Sequence, residues 1–117
     1  MRFMLMFFAD EEEWMALAED ARAAAIERIG AWYGEQGRAG RIVEGHRLAG
    51  KRTATSVRLG FAGRSGKPIV IDGPFVETKE ALGSYAIIEV PDREAALTMA
   101  SSWPAGGAVE IRPIVEL

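Results

Sequence analysis

The chain of 117 residues contains no cysteine and only one histidine, His46. The absence of cysteine excludes disulfide bonds, thiolate metal sites and cysteine nucleophiles. With a single histidine and no carboxylates clustered at ligand spacing, the sequence predicts no metal site. It also lacks a glycine-rich loop between a strand and a helix, the arrangement that binds nucleotide phosphates, so we expect no cofactor.

Long hydrophobic runs are also absent, because no stretch approaches the roughly 18 apolar residues that a membrane helix needs. The apolar residues 1–9 are followed by acidic residues 10–13, where a secretory signal would carry small neutral residues. We therefore expect a cytoplasmic protein without a membrane partner. The net charge of −3 at pH 7 argues against nucleic acid as a partner, because phosphate binding needs a basic face.

The composition, 49% hydrophobic and 26% charged, is sufficient for one folded domain covering residues 1–117. Residues 3–8 predict a strand that is apolar on both faces. Phe3, Leu5 and Phe7 point one way, and Met4, Met6 and Phe8 point the other. Such a strand is typically central in its sheet, and its second face is expected to meet another sheet.

The segment after this strand predicts one long helix. Asp10 is the expected N-cap, because the acidic residues 11–13 then occupy the first turn, where the helix dipole favours negative charge. Apolar residues recur at spacings of three and four over about six turns: Trp14, Leu17, Ala21, Ala25, Ile29 and Trp32. Gly34, Gly37 and Gly40 are expected to end the helix.

One further strand and a hairpin follow. Residues 42–48 predict a strand with Ile42, Glu44, His46 and Leu48 on one face. Residues 55–61 predict the first arm of a hairpin, with Val57, Leu59 and Phe61 pointing inward. Residues 63–66 are the expected turn, and residues 68–72 the returning arm.

The last part of the chain predicts a strand over residues 82–90, a helix capped by Asp92 and running to about Trp103, and a strand over residues 108–115. The order is β-α-β, an inserted hairpin, and β-α-β. This order predicts an α+β, ferredoxin-like fold, with an antiparallel sheet and two helices on one face. Because the other face is apolar and bare, we expect a homodimer that forms through it.

The sharpest local feature is residues 72–80, Asp-Gly-Pro-Phe-Val-Glu-Thr-Lys-Glu. Asp72 can accept backbone hydrogen bonds, Gly73 can adopt positive φ and Pro74 fixes the next bend, so these residues predict a turn. A turn does not explain Phe75 or the ionisable residues that follow. The alternative is the edge of a cleft, where a carboxylate, an aromatic ring and a lysine orient a small polar ligand.

Together with residues 82–85 and 89–90, this segment resembles the signature of the DGPF proteins, a branch of the YCII-related family. Residues 3–6, 95–97 and 109–113 also fit, so that the resemblance covers nearly the whole chain. It implies a ferredoxin-like fold of the dimeric α+β barrel type, a homodimer whose sheets meet, and a bacterial cytoplasmic protein.

The resemblance implies little about activity. Some YCII-related proteins resemble enzymes with a histidine and an aspartate near a cleft, and one branch is a dehalogenating lyase. Their histidine lies on the first helix, where residues 11–36 of this chain contain none. DGPF proteins are often encoded beside alternative sigma factors, which suggests a regulatory role.

Two functions are weighed, and a third, a partner-binding accessory to a transcription factor, also stays open. The first, placed ahead, is a small-molecule-binding or regulatory homodimer without chemistry. The second is a small lyase-like or isomerase-like enzyme, in which Asp72 orients His46 as a general base. A lone strand histidine is more typical of a structural residue, and Tyr85 of a core position. The predicted catalytic residues are Asp72 and His46, and the predicted ligand-binding residues are Gly73, Pro74, Phe75, Glu77, Lys79 and Tyr85.

Overall fold

A computed structural model describes residues 1–60 and 66–116. In chain order the elements are β1 (Arg2–Ala9), α1 (Glu11–Ala16), α2 (Glu19–Arg38), β2 (Ile42–Arg47), β3 (Thr55–Arg58), β4 (Ile69–Asp72), β5 (Ala81–Glu89), α3 (Arg93–Ser101) and β6 (Ala108–Pro113). A short 3₁₀ turn, Lys51–Thr53, precedes β3. Four strands form an antiparallel sheet in the order β2-β5-β1-β6, and β3 and β4 form a separate two-stranded sheet. This α+β arrangement is compatible with a ferredoxin-like fold.

The core lies between one face of the main sheet and the helices α2 and α3. Phe3, Leu5 and Phe7 of β1 are at most 3% exposed and pack with Trp32 of α2 and Met99 of α3. The central position of β1, between β5 and β6, confirms the prediction from its two apolar faces. Burial of this size, roughly 1.5–3 kcal/mol for each large side chain, holds the helices on the sheet.

An aromatic cluster closes one end of the core. The Phe7 and Trp103 rings stack with centroids 3.9 Å apart, and Trp32 meets Phe7 edge-on at 5.9 Å. The Trp32 indole Nε1 donates a hydrogen bond of 2.9 Å to Ser102 Oγ, so that the buried polar atom of this side chain has a partner. Tyr33 packs edge-on against Trp32 at 5.0 Å, and burial raises the pKa of its phenol.

The prediction of one long first helix is wrong, and the described residues form three α-helices instead of two. Leu17 and Ala18 adopt extended backbone angles, with ψ of 147° and 150°, and separate α1 from α2. Arg22 Nη1 donates to the carbonyls of Met15 and Leu17 at 3.1 and 2.7 Å, which satisfies two acceptors that the break leaves free. Within the described residues, none of the helices combines the length and apolarity that a membrane crossing requires.

The predicted end of that helix is also displaced, because α2 runs through Gly34 and Gly37 to Arg38. Gly40, with φ of 75°, is the glycine that lies beyond the helix end. A glycine inside a helix costs only about 1 kcal/mol, which the packing of Trp32 and Ala25 offsets.

A bulge in β2 breaks the alternation that the sequence predicts. Ile42 opposes Ile88, whereas Glu44 opposes the adjacent Ile87, so Ile42 and Glu44 lie on opposite faces. Leu48 lies beyond the end of the strand. The prediction that Ile42, Glu44, His46 and Leu48 share one face is therefore wrong.

The predicted hairpin exists, with Thr55 opposite Asp72 and Val57 opposite Val70. Its packing differs from the prediction, because Val57 and Leu59 are 53% and 66% exposed instead of pointing inward. Phe61 and most of the predicted turn, residues 63–65, lie outside the described residues.

Candidate functional site

A cleft of about 370 Å³ lies where β1 ends, α1 begins and the segment after β4 reaches β5. Its chemistry comes from Asp10, Glu13, Trp14, Leu17, Lys79 and Glu80. The first four follow β1 directly, and the last two belong to the motif of residues 72–80. The fold therefore brings together two segments that are about seventy residues apart in sequence, because β1 and β5 pair with Ala9 opposite Ala81.

Asp10 forms the inner wall of the cleft and its side chain is 10% exposed. Its Oδ1 accepts hydrogen bonds from the backbone amides of Glu12 and Glu13, at 2.9 and 3.2 Å, so the predicted N-cap is confirmed. Its Oδ2 lies 4.0 Å from Lys79 Nζ, whose side chain is 81% exposed. Because Lys79 is open to water and lies at the limit of ion-pair distance, the pair holds the lysine weakly, and the lysine is free to move when a ligand enters.

The charge of the cleft is negative at neutral pH. Three carboxylates, from Asp10, Glu13 and Glu80, line the cleft together with the ammonium group of Lys79. The Trp14 ring and Leu17 add an apolar wall. This combination can hold a cationic group against carboxylates and an aromatic face, while the apolar part of the same molecule lies on Leu17.

The start of the predicted motif is a turn at the base of the hairpin. Gly73 has φ of 109°, which confirms the expected positive φ. The Gly73 amide donates to the Ala54 carbonyl at 2.7 Å, and Ser56 Oγ donates to the Gly73 carbonyl at the same distance. Asp72, Gly73 and Pro74 therefore join the end of β4 to the start of β3, outside the cleft lining.

The middle of the motif lies along the hairpin and in solvent. Phe75 is 63% exposed, and the guanidinium carbon of Arg58 lies 4.9 Å from the centroid of its ring. Glu77 is exposed. Lys51 Nζ donates to the Thr78 carbonyl at 3.3 Å, while the Lys51 amide donates to Glu11 Oε1 at 2.9 Å. These contacts tie residues 78–80 to α1, so that only the end of the motif reaches the cleft.

His46 and Tyr85 meet on the sheet face opposite the helices, which we call the open face. Their ring centroids are 5.6 Å apart, and His46 Nε2 lies 3.0 Å from Glu44 Oε2. Tyr85 is partly buried there instead of lying in the core, because it opposes Met6 and not a helix-facing residue. In the described part of the chain, no hydrogen bond or ion pair joins His46 to Asp72, which lies in the other sheet.

The sequence did not identify Asp10, Glu13 and Trp14 as site residues. Their sequence signals are those of an N-cap, a first helical turn and an apolar stripe, and all three signals are compatible with a structural role. Only the pairing of β1 with β5 places them beside Lys79. No group of three His, Asp or Glu side chains able to hold a metal ion occurs in residues 1–60 and 66–116.

Comparisons with known proteins show which family the chain belongs to. The YCII-related domain matches residues 1–117 of the chain. An uncharacterized protein of Rhizobium meliloti (strain 1021) is 27% identical over 118 residues, which cover 97% of this chain and 92% of that protein. Because the domain match covers the full sequence, the chain belongs to the YCII-related domain family.

Proposed function

We propose that this protein is a homodimer that binds a small, positively charged molecule in the cleft between Asp10, Trp14 and Lys79. The observation that carries the proposal is the composition of that cleft, which three carboxylates and an indole ring line together with Lys79. A ligand with an ammonium group and an apolar part fits both features. The role is binding or regulation without turnover.

The open face supports the dimer. Met4, Met6, Phe8, Tyr85 and Ile87 form an apolar strip on it, and each of them is only partly buried in the single chain. Two ion pairs at 3.7 Å flank the strip, Arg2 with Glu89 and Arg112 with Glu110. An apolar centre with a charged rim is typical of a subunit interface, and two such sheets meeting face to face make a dimeric α+β barrel.

The motif of residues 72–80 supports placement in the DGPF branch of the family. Its last residues, Lys79 and Glu80, line the cleft, and its first residues fix the turn before them. The motif then has two parts, one that shapes the chain and one that faces the ligand. We place binding ahead of acid–base catalysis because His46 pairs with Glu44, whereas Asp72 lies on the hairpin.

Binding is tested by NMR with two probes of similar shape and opposite charge, phenethylamine and phenylacetate. The three tryptophans give three indole N–H signals, so that the Trp14 signal reports on the cleft directly. We expect phenethylamine to move the Trp14 signal in a saturable manner and phenylacetate to leave it in place. A stronger response to phenylacetate than to phenethylamine contradicts the proposed charge preference.

Two charge-neutralising substitutions on the same helical turn provide the matched pair for this assay. Glu13→Gln removes a carboxylate from the cleft wall, and we expect roughly fivefold weaker phenethylamine binding, which is about 1 kcal/mol. Glu12→Gln removes the same charge from an exposed side chain outside the lining and should change binding less than twofold. Equal effects of the two substitutions would show a general charge effect instead of a site.

A further inference from the structure

The hairpin of β3 and β4, which we call the arm, exposes apolar side chains on both of its faces. Val57 and Val70 oppose each other on one face and are 53% and 64% exposed. Ile69 and Ile71 lie on the other face and are 55% and 42% exposed. A strand at the solvent surface is typically polar on at least one face, whereas residues 69–71 of β4 are apolar on both, with Ser56 and Arg58 of β3 opposite Ile71 and Ile69. The apolar side chains of β4 therefore indicate contact on both faces of the hairpin.

The chain itself gives the arm little support. The hydrogen bonds from Gly73 to Ala54 and from Ser56 to Gly73 lie at its base, before the apolar residues begin. The Cα radius of gyration is 16.6 Å, whereas a compact chain of this length has a value of about 13 Å. A two-stranded hairpin alone is at best marginally stable in water. The arm therefore needs a surface that this single chain does not supply.

The exposed area shows how much surface is left to cover. The accessible surface of the chain is 8437 Å². A compact monomer of its mass would expose about 6,200 Å². The difference, about 2,200 Å², exceeds the roughly 800 Å² per partner of a standard stable interface.

We propose that the arm packs against a second copy of this chain, and that the two copies exchange arms about a two-fold axis. This inference rests on the proposed dimer and adds the arm to its interface. The arm leaves the main sheet after β2 and returns to it at β5, and both of these strands contribute to the open face. A second copy related by a two-fold axis therefore covers the open face and the arm in a single interface, whereas a different partner would have to match both surfaces.

The test compares charge substitutions at exposed apolar positions of the arm and of α2. The pair Val57→Glu and Val70→Glu places two charges on one face of the arm, and Ile26→Glu places one on α2, where Ile26 is 51% exposed. Because all three side chains are exposed in the single chain, the substitutions leave its core intact, which the Trp32 indole signal checks. By sedimentation equilibrium we expect the arm pair to raise the dimer Kd at least 100-fold and Ile26→Glu to change it less than threefold.

Hydrogen exchange separates the arm from the sheet-to-sheet contact. In the wild-type dimer the amides of β3 and β4 should exchange slowly, and in Met6→Glu, which breaks the open-face contact, they should exchange at least tenfold faster. Suppose that the wild type is a dimer whose arm amides exchange hydrogen rapidly, and that the arm pair leaves the dimer Kd unchanged. The proposed swap of arms between the two copies is then wrong, and the proposed dimer is not contradicted. Slow hydrogen exchange of the arm amides in a monomeric Met6→Glu variant also contradicts the swap of arms, because the arm would then be protected by its own chain. A monomeric wild type overturns both.

Discussion

Gly107, in the loop before β6, has the strictest steric requirement of the glycines in the described part of the chain. Its φ is 75°, and a Cβ placed on it would overlap the carbonyl oxygen of Phe8. Gly106 provides a matched control, because its φ is 73° and a Cβ there would meet no atom within 4 Å. The two glycines therefore share the backbone conformation and differ in the close approach to β1.

We expect Gly107→Ala to lower the free energy of unfolding by roughly 2–4 kcal/mol, the combined cost of left-handed backbone and steric overlap. Gly106→Ala should cost about 1 kcal/mol, because only the backbone conformation contributes. Urea denaturation of both variants measures the difference. Equal losses would mean that the approach to Phe8 relaxes without cost.

Tyr33 is expected to make the stability of the fold depend on pH in the alkaline range. Burial raises the pKa of its phenol above the ordinary value of about 10. Above that pH the unfolded chain therefore releases the proton while the folded chain retains it. The contribution of Tyr33 to the free energy of unfolding is fully present below pH 10 and falls as the pH rises. We expect Tyr33→Phe to show a smaller loss of stability between pH 9 and pH 11 than the wild type. Identical slopes of stability against pH in Tyr33→Phe and the wild type would contradict the assignment.

Among the structural elements, α2 begins without a side-chain cap. Ala18 occupies the N-cap position with φ of −60° and ψ of 150°, and its side chain has no oxygen that could accept a first-turn amide, although Asp20 Oδ1 accepts from the Ala21 amide at 2.9 Å. Ala18→Ser should supply such an acceptor and raise the free energy of unfolding by about 1 kcal/mol. Ala24→Ser, at an exposed position inside the same helix, should lower it by about 0.5 kcal/mol. Thermal unfolding of both variants gives the signs, and a loss at residue 18 would contradict the cap geometry.

The elements also show what the sequence could and could not predict. Asp10 and Asp92 were recognised as caps because N-capping depends on a few neighbouring residues, and both accept the expected amides. The break at Leu17 and Ala18 carries neither proline nor glycine, so the apolar stripe continues across it without a signal. The β2 bulge depends on pairing with β5, and strand alternation alone cannot reveal it.

The candidate cleft could be predicted only in part for the same reason. Lys79 was identified from its motif, but its neighbour Asp10 depends on the register of β1 with β5, which no local pattern determines. The exposed arm was predicted as a hairpin but with its apolar residues inward. Alternation of apolar and polar residues shows that a strand face needs cover, and it does not show whether the same chain provides that cover.

At the scale of the whole molecule, the proposed dimer couples stability to protein concentration. If folding and association occur together, each tenfold rise in concentration stabilises the dimer by about 1.4 kcal/mol. For two chains of 117 residues the entropy of unfolding converts this into a rise in Tm of roughly 3 °C per tenfold change. Calorimetry over a hundredfold range of concentration should therefore show a shift of about 6 °C. Met6→Glu, which places a charge at the centre of the open face, should unfold at a lower Tm that does not change with concentration. A wild-type Tm that stays constant over the same range would contradict a dimer held together by this face.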